Sequence, residues 1–204
     1  MAAGDLTTLA DVRDYLQRPD DVDTEQDALI STLITIISRE ISRYTGQEFA
    51  PAVSNASRKF VYRGGSLMLL APYSLRSVTS IVFDTDGTSP GNQTITADQY
   101  RLFPREPQDG VYTHVEFRNL SPATRTSEID YRPSREVTIT GAWGYPAIPD
   151  DVEHACTLAV VFRLRNDSDY RSQGGGEDIG RYGAVQLPTL VKQILEPYRI
   201  RSVG

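Results

Sequence analysis

Few side chains in this 204-residue sequence are of the types that perform chemistry, and their spacing does not bring them together. The two histidines are His114, within a strand-like pattern, and His154, in the first turn of a predicted helix. Neither has a second metal ligand three or four residues away, the spacing that would place both on one helix face. The single cysteine, Cys156, lies in the same predicted helix, which indicates a small buried side chain and excludes a disulfide within the chain.

Two loops match ligand-binding motifs only in part. Asp84–Gly87 begins like a calcium loop, but Ile95 stands at the position where the motif requires its bidentate glutamate. The glycines within 174–183 follow a predicted helix and are accompanied by no lysine, whereas a phosphate-binding loop follows a strand and carries one. We interpret the first stretch as a turn and the second as a loop, and we predict no catalytic residue, no cofactor, no metal and no enzyme.

The overall composition is that of a folded protein, with 39% hydrophobic and 24% charged residues. The net charge is -6 and no run is rich in lysine or arginine, which argues against a freestanding nucleic-acid binder. Lysine occurs only at Lys59 and Lys192, and the many arginines favour contacts with carboxylates at protein interfaces. Met1–Leu6 shows no signal peptide and no apolar run reaches the roughly 20 residues of a membrane span, so we expect assembly in a cytoplasm.

The longest helical pattern covers Thr24–Phe49 and forms the predicted centre of the fold. Thr24 is the expected N-cap, with Asp27 as the capping-box acid, and Gly46 is the expected left-handed residue at the end. The apolar face consists of Leu29, Leu33, Ile36, Ile37, Ile41 and Tyr44. Ile30 and Ile34 widen this face, so we expect it to be covered either by later helices or by a neighbouring subunit.

Shorter elements flank the long helix. A helix over residues 8–17 is predicted from the capping box of Thr8 and Asp11. About seven strands follow, at 58–63, 67–70, 78–83, 93–96, 99–103, 111–117 and 136–143. Helices are expected at about 150–165 and 187–198, with a glycine-rich, charged loop over 166–183 between them.

These elements predict an α+β fold. It consists of a helical bundle of about four helices, drawn from both chain ends, with an inserted antiparallel β-rich segment. The expected domains are a helical connector core over 1–57 and 134–204 and a β-rich insertion over 58–133.

Four segments add a family resemblance to this element order. They read RYTGQEF at Arg43–Phe49, APYSLRSVTSIVF at Ala71–Phe83, VTITGAWGYPAIPDDVEHACTLAVVFRLRND at Val137–Asp167, and LPTLVKQILEPYR at Leu187–Arg199. In this order they resemble the head–tail connector proteins of long-tailed bacteriophages, also called adaptor or head-completion proteins. The segment 58–133 is longer than the short β segment of small family members, so its role is the least transferable part.

The resemblance implies a structural subunit of the virion neck. Such subunits form a ring, typically dodecameric, that docks on the portal protein, extends the DNA channel and presents a surface to the next neck or tail-completion protein. The implied partners are those two proteins, further copies of the chain, and packaged double-stranded DNA that passes without sequence-specific binding. A net negative charge suits such a channel, because a basic lining would bind phosphates.

Two sets of residues are candidates for these contacts. Family members use C-terminal segments on the portal, so the first set is Leu195, Tyr198, Arg199 and Arg201. They would lie in an arm that becomes ordered only on the portal, or else in an ordinary last helix with frayed ends. The second set, for packing between ring neighbours, is Ile30, Ile34, Ile37 and Ile41.

An alternative function belongs to a different class, a β-sheet module that binds protein or carbohydrate and is carried on a helical scaffold. Its binding surface would consist of exposed aromatic residues of the insertion, namely Tyr62, Phe83, Tyr100, Phe103, Tyr112 and Phe117. Alternation along the strands places most of these side chains in a core instead.

Overall fold

The structure, a computed structural model, describes residues 4–17, 26–49, 53–62, 67–84, 92–107, 109–118, 135–172 and 187–200. The chain forms two compact units, one from Met1–Ala50 with Ile148–Arg201 and one containing Pro51–Ala147. The first is helical and the second consists of antiparallel strands, which confirms the predicted α+β fold. The domain boundaries expected at 57 and 134 differ from these limits, because the first and last strands pair with each other over most of their length.

The helical unit contains α1 (Leu9–Tyr15), α2 (Asp27–Thr45), α3 (Asp150–Ser172) and α4 (Thr189–Leu195), followed by a short 3-10 turn at Glu196–Tyr198. The predicted capping box of α1 is present, since Asp11 donates its backbone N–H to Thr8 Oγ1 at 3.1 Å and Thr8 donates its own to Asp11 Oδ2 at 2.9 Å. Gly46 ends α2 in the left-handed conformation, with φ 71°, as predicted. No described helix is both long and apolar enough to cross a membrane.

Two helix boundaries differ from the prediction. The helix α2 begins at Asp27 after Gln26, which makes no side-chain cap, and the predicted cap Thr24 lies outside the described residues. Asp27 is instead paired with Arg13 of α1. The helix α3 continues to Ser172, into the stretch expected to be a loop, because the prediction of its end relied on apolar periodicity and the sequence after Arg165 has none.

The core of the helical unit forms where α2 contacts α3 and where α4 packs on α3. Its larger buried side chains are Leu6, Val12, Ile30, Leu33, Ile34, Ile37, Ile41, Phe49, Val152, Val160, Val161, Leu187, Val191 and Leu195. Polar contacts join the helices within it: Ser38 Oγ accepts from the backbone N–H of Leu6 at 3.0 Å and lies 3.7 Å from Cys156 Sγ. These buried hydroxyls have partners inside the unit and so help to fix the register of the helices.

The strand unit contains seven described strands in two sheets. The strands are β1 (Val53–Tyr62), β2 (Leu67–Leu69), β3 (Leu75–Asp84), β4 (Asn92–Ile95), β5 (Tyr100–Phe103), β6 (His114–Phe117) and β7 (Arg135–Trp143). One sheet has the order β1-β7-β3-β4 and the other has the order β2-β6-β5, and every pairing is antiparallel.

Residues from both sheets form a single buried cluster in the strand unit. Its aromatic centre is Tyr62, Phe83 and Phe117, whose rings meet edge to face with centroids 5.0–5.4 Å apart. Gly141 of β7 is required by close backbone approach, because a Cβ there would lie 2.0 Å from the carbonyl oxygen of Ser77 in β3. The register between these two strands shifts on both sides of this point, between Leu75 and Ser77 and between Val78 and Ser80.

Candidate assembly surfaces

The C-terminal segment is fastened to the end of α2. Gln47, just beyond the helix, donates its side-chain amide to the carbonyl oxygen of Tyr198, and the backbone N–H of Ile200 donates to Thr45 at 2.8 Å. The ring of Tyr198 meets that of Phe49 edge to face, with centroids 5.9 Å apart. Residues 187–200 are therefore part of the folded helical unit, and the expectation of an arm that becomes ordered only on the portal is wrong for them.

A polar cluster lies beside this attachment. Tyr44 donates its hydroxyl to Glu196 Oε2 at 3.0 Å, and the guanidinium of Arg199 lies 5.4 Å from the Tyr44 ring centroid. Arg199 also lies 3.9 Å from Glu196, but its side chain is 49% exposed, so this ion pair contributes little to stability. About half of the arginine side chain therefore faces water, where a partner can reach it.

The four proposed docking residues fall into different environments. Leu195 is fully buried, Tyr198 is half-buried against Phe49, and Arg199 is exposed. Arg201 lies outside the described residues. Leu195 thus belongs to the core, because α4 turns the apolar face that contains Val191 and Leu195 toward α3, and a portal contact remains a hypothesis for Tyr198, Arg199 and Arg201.

The four isoleucines assigned to packing between ring neighbours are Ile30, Ile34, Ile37 and Ile41. Each is at most 3% exposed within a single chain. Of the two covers expected for this face, the structure shows the chain's own helices, so a contact with a neighbouring subunit would need other residues. Large apolar side chains that remain exposed in the helical unit are Tyr15, Ile36, Phe162 and Leu190.

Two carboxyl groups meet where α1 contacts α3. Hydrogen bonds from Thr8 hold the pKa of Asp11 below its usual value. Burial, the negative charge of Asp11 and a hydrogen bond with it raise the pKa of Glu153. On the same pair of helices the rings of Tyr15 and His154 meet edge to face at 6.1 Å. This arrangement joins two helices and holds one proton more readily than isolated carboxyl groups would.

The residues searched for chemistry each have their own local surroundings. His114 of β6 contacts Thr113 Oγ1 at 2.9 Å through Nδ1, and its burial lowers its pKa. Burial raises the pKa of Cys156 to about 12, which leaves its thiol unreactive. Within the described ranges, histidine, cysteine, aspartate and glutamate side chains form no group of three or more able to hold a metal ion.

Arg58 of β1 is a residue of interest that the sequence did not single out. Its register partner is the fully buried Ile139, so the strand places it on the core-facing side, two residues before Phe60. The signal available in the sequence was an arginine at a position where alternation requires an apolar residue. The six aromatic residues proposed for the alternative function, a β-sheet binding module, do not form an exposed surface, because none of them is exposed.

Comparison with known proteins agrees with the architecture. The chain is similar in structure to one from the neck of an empty GTA particle computed with C6 symmetry, at 18% identity and a TM-score of 0.51. It is similarly related to a chain from the virion of a native gene transfer agent (GTA) particle, at 19% identity and a TM-score of 0.50. Both alignments cover 100% of this chain and 95% of the other, and they show a shared fold.

No curated protein matches the sequence. A family model described as "Head completion protein", in contrast, matches residues 5–201, nearly the whole chain. The resemblance read from the four sequence segments is thereby confirmed, and the chain belongs to the head completion protein family.

Proposed function

We propose that this protein is a structural subunit of the neck of a phage-like particle, and that copies of it form a ring on the portal protein. The observation that carries the proposal is the family match over residues 5–201. The fold adds support, since two chains that share it come from a GTA particle neck and a GTA virion. The subunit extends the DNA channel and offers a surface to the next neck or tail-completion protein.

Two features of the chain suit this function. A ring closes when two unlike faces of each subunit meet head to tail, and the chain offers two units of different structure from which to build those faces. The net charge of -6 disfavours adhesion to DNA phosphates, as a channel for moving DNA requires.

We assign portal docking to the end of the helical unit formed by Tyr198, Arg199 and the following residues through Arg201. Gln47, Phe49 and Thr45 hold residues 198–200 of this segment, so these residues lose little conformational entropy when the segment binds. The exposed guanidinium of Arg199 can then pair with a carboxylate of the portal in the planar geometry that arginine favours.

The test is co-sedimentation of the purified full-length chain with the portal ring of the same particle, followed by native mass spectrometry. We expect about twelve copies per dodecameric portal, since a dodecamer presents twelve equivalent docking sites. The variant Arg199→Ala should weaken binding on the order of tenfold, as expected for loss of a charged contact at an interface. The matched control is Arg101→Ala, an exposed arginine of β5 in the strand unit. A wild-type chain that fails to sediment with the portal would contradict the proposal.

A further inference from the structure

The guanidinium group of Arg58 lies on a platform of aromatic rings. Its central carbon is 3.5 Å from the ring centroid of Tyr73 and 5.5 Å from that of Trp143. Phe60 completes the platform, with its ring centroid 6.4 Å from Tyr73 and 5.7 Å from Trp143. Trp143 is 1% exposed and donates its indole N–H to the carbonyl oxygen of Ala56 at 2.8 Å, so the platform is rigid.

This arginine has no polar partner in the part of the chain that the structure describes. Its Nε is buried without a hydrogen-bond acceptor, and stacking on aromatic rings is the interaction that holds it. Arginine carries five N–H donors, and a buried donor left unpaired destabilises a protein by about 1–3 kcal/mol. An apolar residue of similar length would fill the same place at β1 without that cost, so the position is not optimised for folding alone.

We propose that Arg58 is an interface residue that binds a carboxylate of a second copy of this chain, between neighbours in the assembled ring. The inference rests on the proposed function, since it places the partner in that ring. The residues that contribute most to binding at protein–protein interfaces are enriched in arginine, tyrosine and tryptophan, the three residue types that meet here. Because Nε is buried, a partner reaches the guanidinium at its two terminal amino groups, which can donate two parallel hydrogen bonds to one carboxylate.

Charge complementarity favours a second copy as the source of the carboxylate. The chain carries 27 acidic and 21 basic residues, so its copies present a surplus of carboxylates to one another. In the helical unit, exposed acids include Asp14, Asp150 and Asp151. A DNA phosphate is disfavoured, because a single arginine in a chain of net charge -6 provides little attraction for a polyanion.

The experiment compares Arg58→Met, Arg58→Lys and the control Arg76→Met, an exposed arginine of β3 in the same unit. Loading onto portal rings is followed by native mass spectrometry as a function of concentration. For Arg58→Met we expect non-cooperative loading, with the concentration that closes the ring raised on the order of tenfold. For Arg58→Lys the concentration that closes the ring should lie between those of the wild type and Arg58→Met, because lysine keeps the charge and loses the paired hydrogen bonds. Arg76→Met should load like the wild type.

Thermal unfolding of the unassembled chain separates this role from a structural one. An interface arginine predicts that Arg58→Met has an unchanged or higher Tm, whereas a residue needed for folding would lower it. If Arg58→Met loads onto the portal as cooperatively as the wild type, and the wild type loads fully, the inference about Arg58 is overturned while the proposed ring is not. Weakened binding of Arg58→Met to a 30-base-pair DNA duplex, with normal ring closure, would show a phosphate partner instead. A wild type that does not load on the portal contradicts the ring itself, and the inference with it.

Discussion

Leu195 and Arg199 lie four residues apart near the C-terminus, and the structure predicts opposite consequences when each is changed to alanine. Leu195 is fully buried on the face of α4 that contacts α3, whereas the side chain of Arg199 is 49% exposed. Leu195→Ala should therefore reduce stability and leave the portal contact surface in place. Arg199→Ala should weaken binding to the portal and leave stability almost unchanged.

The expected magnitudes follow from burial. Leucine to alanine removes three carbon groups, which at about 0.8 kcal/mol each amounts to about 2.4 kcal/mol. The cavity left between α4 and α3 adds to this, so we expect about 3 kcal/mol of lost unfolding free energy. Arg199→Ala removes an exposed ion pair at 3.9 Å and a ring contact at 5.4 Å, which together contribute at most about 1 kcal/mol.

Urea unfolding measured by far-UV circular dichroism reports on the helical unit, and fluorescence of Trp143, the single tryptophan, reports on the strand unit. The Leu195→Ala transition should shift to lower urea in the circular dichroism signal. The same variant, at temperatures where it is folded, should bind the portal with wild-type affinity. A fully stable Leu195→Ala that fails to bind, or an Arg199→Ala destabilised by about 3 kcal/mol, would refute the assignment of these residues to core and surface.

Three further predictions test other parts of the structure. Gly141→Ala should destabilise the strand unit by about 3 kcal/mol, because the added Cβ would overlap the carbonyl of Ser77. The control is Thr138→Ala on the same strand, which should lower the unfolding free energy by less than about 1 kcal/mol. Equal losses of unfolding free energy for the two variants in a urea titration would contradict the close approach at Gly141. Glu153→Gln should raise the Tm modestly at pH 7. The pKa of Glu153 is higher in the folded state than its value of 4.5 in the unfolded state, so the folded protein holds this proton more tightly. The stability of the wild type therefore falls as the pH rises from 4.5 through the pKa of the folded state, and glutamine removes that loss. An equal slope of Tm against pH in both proteins would rule that out. Cys156 should resist iodoacetamide at pH 8 in the folded protein and react once urea unfolds it, because burial raises its pKa to about 12; rapid labelling of the folded chain would show that the thiol is accessible.

Local signals in the sequence predicted local features well. The capping box of Thr8 and Asp11 depends on residues three apart, and the left-handed Gly46 depends on a single residue type at a helix end. Both are properties of a short segment, so no knowledge of the tertiary fold was needed. Strand order and the pairing of β1 with β7, in contrast, join residues far apart in the chain, and local sequence patterns contain no information about that pairing.

The candidate site was harder to predict because it depends on long-range contacts. The attachment of Tyr198 to Gln47 joins residues 151 positions apart, and nothing in the C-terminal sequence distinguishes an attached segment from a free arm. Periodicity identified the apolar face that contains Ile30 and Ile34, but it did not show which surface covers that face. Arg58 was missed because its interest arises from Tyr73 and Trp143, which alternation along β1 does not reveal.

Cryo-electron microscopy of the particle neck would show whether this chain forms a ring at the portal. We expect a closed ring of about twelve copies between the portal and the next neck protein, with Arg199 at the portal contact and Arg58 at the contact between neighbours. A neck in which the portal contacts a different protein at that level, with this chain absent, would show that the chain forms no such ring.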